Sequence, residues 1–246
     1  QLALDLDNGV LPIQGPPGAG KTFVGGEMIV QLAEQGKRIG VTAVSHKVIA
    51  NLLRSVLDRS GGDLSVAHRL SSPPDDYPQS IEVLNSTPSV VTALRAGKII
   101  GGTAWLWSNA ALEQHLDYLF IDEAGQMSLA TALAAGRAAK NIVLLGDPQQ
   151  LEQPQLGSHP EGAEVAALNH LLDGRDTIAD ERGLFMPDTW RMHPSICEFT
   201  SGQYYDGRLS SRSGLERQVI VGNSVFTDAG LVFVPVVHEG NRNQSP

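Results

Sequence analysis

Gly15-Pro16-Pro17-Gly18-Ala19-Gly20-Lys21-Thr22 is the stretch that decides how this sequence folds. It matches G-x-x-x-x-G-K-[ST] at every fixed position, follows the apolar run Val10 to Ile13 and opens into an amphipathic stretch, Lys21 to Gln35. Strand, glycine loop and helix in that order are the context this pattern needs. The residue types follow from the chemistry. Glycines let successive backbone N–H groups curl around phosphate oxygens, and the helix start adds partial positive charge. Lys21 is expected to reach the β and γ phosphates and Thr22 to ligate Mg²⁺. Gly15, Pro16, Pro17, Gly18, Ala19, Gly20, Lys21 and Thr22 are therefore the expected nucleotide contacts.

Outward from this loop, short apolar runs alternate with longer amphipathic or alanine-rich stretches. Strands are expected at Val10 to Ile13, Arg38 to Ala43, Lys98 to Thr103, Tyr118 to Ile121, Asn141 to Leu145 and Leu231 to Val237. Helices are expected at Lys21 to Gln35, Lys47 to Arg59, Met127 to Ala139 and Ala163 to Leu172. That alternation predicts crossover units on a parallel sheet, so the fold class is α/β. Pro12 sits awkwardly in the first strand, since proline removes a ladder hydrogen bond. Two segments break the pattern: residues 60–80, rich in Gly, Ser, Pro and Asp, read as a surface excursion that fits an inserted subdomain, and residues 151–162 read as a second turn-rich connection. No internal repeat or heptad pattern is found.

The 246 residues are 41% hydrophobic and 18% charged, with mean hydropathy −0.09, so the chain can bury a core and is not a disordered tail. No apolar run approaches the ~20 residues of a membrane helix, and the first residues, QLALDLDN, lack the basic region of a signal peptide. One cysteine, Cys197, excludes an intrachain disulfide and a cysteine metal cage. A reducing, cytoplasmic setting is expected. The start at Gln1 and the tail GNRNQSP, just after an apolar run, read as the ends of a fragment of a longer protein. The net charge of −9 argues at first against a nucleic-acid partner, because phosphate contacts need Lys and Arg.

Three further motifs carry chemistry. Asp122 and Glu123 close the apolar run 118–121, where parallel sheets place ligands. Asp122 would hold Mg²⁺ through water and Glu123 would orient or deprotonate the attacking water, whereas the ordinary reading is a solvated turn. Gly146-Asp147-Pro148-Gln149-Gln150-Leu151 again runs from strand to polar turn. A Gln there can contact a γ phosphate without adding charge; the ordinary reading is a turn that stops a strand. Asp188-Thr189-Trp190-Arg191-Met192-His193-Pro194 joins an aromatic face to a guanidinium, which suits base stacking and transition-state charge, or simply a core Trp beside a surface Arg.

GPPGAGKT, DEAGQ, GDPQQL and TWRMHP, in this order, resemble the superfamily 1 helicases, specifically the Upf-like branch associated with 5′-to-3′ movement, and also the helicase part of bacterial proteins that join such a module to a RecB-like nuclease. The resemblance covers nearly the whole chain. It implies a P-loop NTPase with a RecA-like parallel sheet, ATP and Mg²⁺ as cofactors, and single-stranded nucleic acid as partner, DNA ahead of RNA, with a nuclease domain possible in the full-length chain. It implies Lys21 and Thr22 on triphosphate and magnesium, Asp122 and Glu123 as the Walker B pair, and Gln150 as γ-phosphate sensor. Arg191 would be the arginine finger and Trp190, where relatives often have Tyr, would stack on adenine. Ser45 of TAVSHK and Thr103 of GGTAW would lie on the nucleic-acid backbone.

This sequence also departs from that family. Nothing supplies motifs V and VI of a complete second RecA-like domain, and the upstream glutamine motif is missing or cut away. The resemblance therefore implies a first RecA-like domain over residues 1–184, with an insertion at about 58–97, and the start of a second over 185–246. The charge can then be reread: residues 141–180 hold seven acids and one base, and net charge does not describe a local groove. Trp105 and Trp107 follow Thr103 and could stack on bases, although packing is the ordinary role of alternate Trp at a strand end. The seven histidines show no metal-ligand spacing, and Cys197 reads as a small buried hydrophobe. Two other functions stay open. One is a P-loop NTPase of another class, though no N-K-x-D guanine motif occurs; the other is a nucleotide-gated binding module without activity of its own.

Overall fold

The computed structural model describes residues 2–150, 165–222, 226 and 229–235. Along the chain run β1 (Val10–Gln14), α1 (Lys21–Glu34), β2 (Ile39–Thr42), α2 (His46–Arg59), β3 (Val66–Arg69) and β4 (Glu82–Leu84). They are followed by α3 (Thr87–Arg95), β5 (Ile99–Gly101), α4 (Ala104–Trp107), β6 (Leu116–Asp122), α5 (Leu129–Gly136) and β7 (Ala139–Gly146). The last elements are α6 (Ala167–Leu172), β8 (Leu184–Phe185), β9 (Asp188–Thr189), α7 (Pro194–Tyr204) and β10 (Ser210–Ser211). Eight strands form one parallel sheet in the order β4-β3-β5-β2-β6-β7-β1-β8. This is the α/β architecture expected from the alternating pattern.

The sheet divides the core into two faces. Tyr118 and Phe120 of β6 pack with α1 and α2 through Ile29, Leu32, Ile49 and Leu53, while Leu119 and Ile121 point to the other face, among Trp107, Ala135 and Leu168. Period-two alternation within an almost wholly apolar strand thus serves two cores, as a buried parallel sheet requires. In α2, Ile49, Leu52, Leu53 and Val56 recur at helical spacing and are fully buried, and the Ser45 hydroxyl caps the helix by accepting from Val48 N at 3.3 Å. A capping box between Ser86 and Ser89 starts α3.

Four sequence expectations are corrected. The segment 58–97 does not leave the fold: it supplies β3, β4 and α3, and β3 lies between β4 and β5 within the main sheet. Its turn residues mark connections between short strands at one side of the sheet. Residues 231–235 of the expected last strand form no strand; Leu231 and Phe233 are exposed, and residues 236–237 lie outside the described residues. The helix expected from Ala163 begins at Ala167, with 163 and 164 outside the described residues. Pro12 is well placed after all. The carbonyl of Gln14 accepts from Met186 N on the β8 side at 2.9 Å, and Pro12, two residues earlier, faces that same side, where β8 pairs only from Ile13 onward. Its missing N–H therefore costs no bond to β7.

Candidate functional site

The glycine loop leaves β1 at the carboxyl edge of the sheet, tethered by Gly15 N donating to Gly146 O at 2.8 Å. Gly18 (φ 76°) and Gly20 (φ 87°) take left-handed conformations, and Gly20 directly precedes α1. Lys21 Nζ donates back to Gly15 O at 2.7 Å, so its ammonium spans the loop it starts from. Thr22 follows in the first turn, and its carbonyl accepts from Ser55 Oγ of α2 at 3.1 Å.

β6 delivers Asp122 to the same edge. Its carboxyl is buried and has its pKa pushed up to about 6, first by burial and then by repulsion from Glu123, against the opposing pull of Glu123 N–H and Lys21. Glu123 has φ 54°, an unusual turn for a residue with a side chain, and its N–H donates to Asp122 Oδ1 at 2.9 Å. Gly125 has its own reason to be glycine: a Cβ there would stand 2.4 Å from the Asp147 carbonyl. The turns after β6 and β7 are therefore locked together. Sequence reasoning missed this contact, although the glycine in DEAGQ was its visible trace.

In the turn after β7, the buried Asp147 carboxylate accepts from Gln149 N (3.2 Å), Gln150 Nε2 (3.2 Å) and the Tyr205 hydroxyl (2.8 Å). Burial and the adjacent Asp147 charge push the Tyr205 pKa well up, so the phenol stays a donor. Tyr205 comes from the end of α7, 58 residues away, and nothing in its local sequence announces the role. Gln14, fully buried at the end of β1, clamps the connection 176–178 by donating to Asp176 O at 2.9 Å and accepting from Ile178 N at 2.7 Å.

The segment carrying Trp190 and Arg191 docks directly on the glycine loop. Thr189 Oγ1 donates to Pro17 O and Trp190 N donates to Gly18 O, both at 2.9 Å, and Arg191 N donates to Thr189 Oγ1 at 3.2 Å. A Cβ on Gly18 would come within 2.5 Å of Arg191 Cβ. The Arg191 side chain is exposed at the loop. Beside it lies an apolar cavity of about 610 Å³, lined among others by Ala19, Phe23, Val24, Met186, Pro187 and Trp190. Trp190 is 61% exposed, with the Arg212 guanidinium 4.3 Å from its ring centre. A slot of that size and chemistry next to a phosphate loop fits a planar base.

The structure thus brings together the glycine loop, Asp122, Glu123, Gln150, Trp190 and Arg191. Ser45 and Thr103 lie elsewhere on the same edge, after the neighbouring strands β2 and β5. The two adjacent tryptophans separate: Trp107 is fully buried and Trp105 is 87% exposed, so the packing role holds only for Trp107. Cys197 is buried as expected, its thiol pKa raised by burial. Among the described residues no group of His, Cys, Asp and Glu could hold a metal by itself, and no helix is long and apolar enough to cross a membrane.

The family described as AAA domain matches residues 2–169. The chain belongs to the AAA domain family. As an AAA domain it is 28% identical over 145 residues to the DNA replication ATP-dependent helicase/nuclease DNA2 of Saccharomyces cerevisiae, covering 56% of this chain and 10% of that protein. The protein of the same name in Schizosaccharomyces pombe is 28% identical over 228 residues, covering 88% of this chain and 16% of that one. Arterivirus nonstructural protein 10, a helicase solved with DNA, shares the fold of this AAA domain: TM-score 0.52 at 16% identity, over 83% of this chain and 42% of that chain. The AAA domain thus spans only a small part of the curated relatives it matches.

Proposed function

We propose that this chain is the nucleotide-binding core of an ATP-dependent helicase or translocase that moves on single-stranded nucleic acid. One observation carries the reading: the segment 189–191 hydrogen-bonds to Pro17 and Gly18, setting Trp190 beside a base-sized cavity and Arg191 beside the phosphate loop. The two yeast relatives, both named as ATP-dependent helicase/nucleases, and the motif order support it.

The residues fit ATP and Mg²⁺. Gly18 and Gly20 form a cradle of left-handed backbone, Lys21 supplies a cation across it, and Asp122 is a buried carboxyl that a divalent cation would return to its charged form. Mg²⁺, when bound, neutralises phosphate charge. Thr22 and Asp122 would hold it, while Lys21 and the loop N–H groups grip the triphosphate. Glu123 orients water and accepts its proton, Gln150 reads the γ phosphate, and Arg191 offsets charge that develops in the transition state. Trp190 covers the adenine. We place the first RecA-like domain at residues 1–184 and the start of the second at 185–246, with β8 at their junction. In the full-length protein a nuclease domain in the same chain is part of this reading, as is DNA as the track.

The test is steady-state ATPase measurement on the full-length protein with and without single-stranded DNA or RNA. Lys21→Ala should abolish nucleotide binding or turnover, and Glu123→Gln should retain ATP while losing turnover. Undiminished hydrolysis in the Glu123 variant would remove that residue from the role of base.

A further inference from the structure

We propose that Trp105 is a base-stacking residue for single-stranded nucleic acid, on the sheet edge that also carries Ser45, His46, Lys47 and Thr103; the inference rests on the nucleic-acid reading above. β2 and β5 are neighbours, paired up to Val41 and Gly101, and Gly102 N donates to Val41 O at 3.0 Å, so the two strand ends leave the sheet side by side. Ser45, His46 and Lys47 follow one end, Thr103 and Trp105 the other.

The turn is rigid from below. Trp107, fully buried, donates Nε1–H to both Val41 O (3.1 Å) and Gly102 O (3.2 Å), bridging the two strands. Two positions earlier on the same helical turn, Trp105 is rotated roughly 200° away, so the geometry that buries Trp107 pushes Trp105 out. At 87% exposure it is the most exposed of the three tryptophans. The Thr103 hydroxyl makes no cap bond to α4.

An exposed indole alone would fit many ligands, and the hydroxyls and Lys47 at the same two strand ends favour one. In a chain of net −9, residues 43–57 and 99–112, which flank these two strand ends, contain no Asp or Glu and supply Lys47 and Arg54. Asp75 and Asp76 follow the neighbouring β3 and Asp122 and Glu123 close the neighbouring β6, so Lys47, the hydroxyls and one exposed aromatic face form the patch between them, which suits a strand whose phosphates run along the hydroxyls while a base lies on the ring.

The experiment uses the 246-residue chain at low salt with a fluorescent dT 20-mer, an rU 20-mer and a dT 20-mer carrying abasic positions, read by anisotropy and tryptophan emission. Because Trp105 is exposed, Trp105→Ala leaves the core intact, which the emission of buried Trp107 checks. Trp105→Ala should weaken dT or rU binding about 10-fold and remove most of the emission quench, while Trp105→Tyr keeps the affinity. Abasic positions should weaken wild type but not Trp105→Ala, and the strand with the larger effect names the preferred track. Wild-type binding with no loss in Trp105→Ala would overturn the stacking role alone. No wild-type binding to either oligonucleotide would overturn the nucleic-acid reading with it. Concentration-dependent self-association abolished by Trp105→Ala, without an oligonucleotide effect, would assign the indole to a second copy and overturn the proposal.

Discussion

Gly18 shows how much one residue can hold in place. Its φ of 76° is uncomfortable for any side chain, and the space its Cβ would need is taken by Arg191 Cβ at 2.5 Å and Thr189 Oγ1 at 2.8 Å. Gly36 has a similar φ of 72° with nothing near its Cβ position, and serves as the control. Gly36→Ala should cost about 1 kcal/mol from backbone strain alone. Gly18→Ala should cost roughly 1–3 kcal/mol more, because the segment 189–191 must move off the loop, and should weaken nucleotide binding about 10-fold. Urea melts and nucleotide titrations of both variants measure the difference. Equal losses in the two would mean that docking of Arg191 on the loop contributes nothing.

At the scale of elements, α2, β3 and the β3–β4 connection are joined by one polar chain. His46 Nδ1 lies 3.0 Å from His68 Nε2, and His68 Nδ1 lies 2.7 Å from the Tyr77 hydroxyl. His68 is completely buried and its pKa falls to about 4, first from burial and then from the neighbouring His46, itself lowered by burial. Burial holds the Tyr77 pKa up at about 12, partly opposed by Arg54, so the phenol stays protonated. The sign follows from linkage: the unfolded chain, with an ordinary histidine near 6.5, binds a proton that the folded His68 refuses. Stability should therefore be intact above about pH 6.5 and fall as pH drops toward about 4, by up to about 3 kcal/mol. His68→Gln should flatten that slope in denaturant melts between these pH values, and an unchanged slope would place the acid sensitivity elsewhere.

Across the whole molecule, the chain after β8 is fastened to the sheet at a few polar points. Arg208 donates to Ile178 O at 2.8 Å and pairs with Asp180, Thr177 donates to Asp206 at 2.7 Å, and Tyr205 reaches Asp147. The last of these touches the turn that carries Gln150, so movement of α7 is passed to the side chain proposed to sense the γ phosphate. Tyr205→Phe removes one of the three donors to a buried carboxylate and should cost about 1–3 kcal/mol in stability. In the full-length protein it should lower turnover about 10-fold with nucleotide affinity changed less than about 3-fold, since it positions Gln150 without touching nucleotide. A change in affinity alone, with turnover preserved, would contradict that positioning role.

The sequence by itself determined the parallel α/β class, the loop 15–22 and the two acids at 122 and 123, because each is written in local terms: an apolar period, a glycine spacing, a charge that ends a strand. It misplaced residues 58–97 because β3 and β4 are only four and three residues long, too short to outweigh the turn-forming residues around them. Only the tertiary structure decided that Tyr205 holds Asp147, that Gly125 fits against its carbonyl and that Trp105 faces solvent while Trp107 is buried. Those outcomes depend on which strand ends become neighbours, and neighbours brought together across 58 residues leave no periodic mark in the chain.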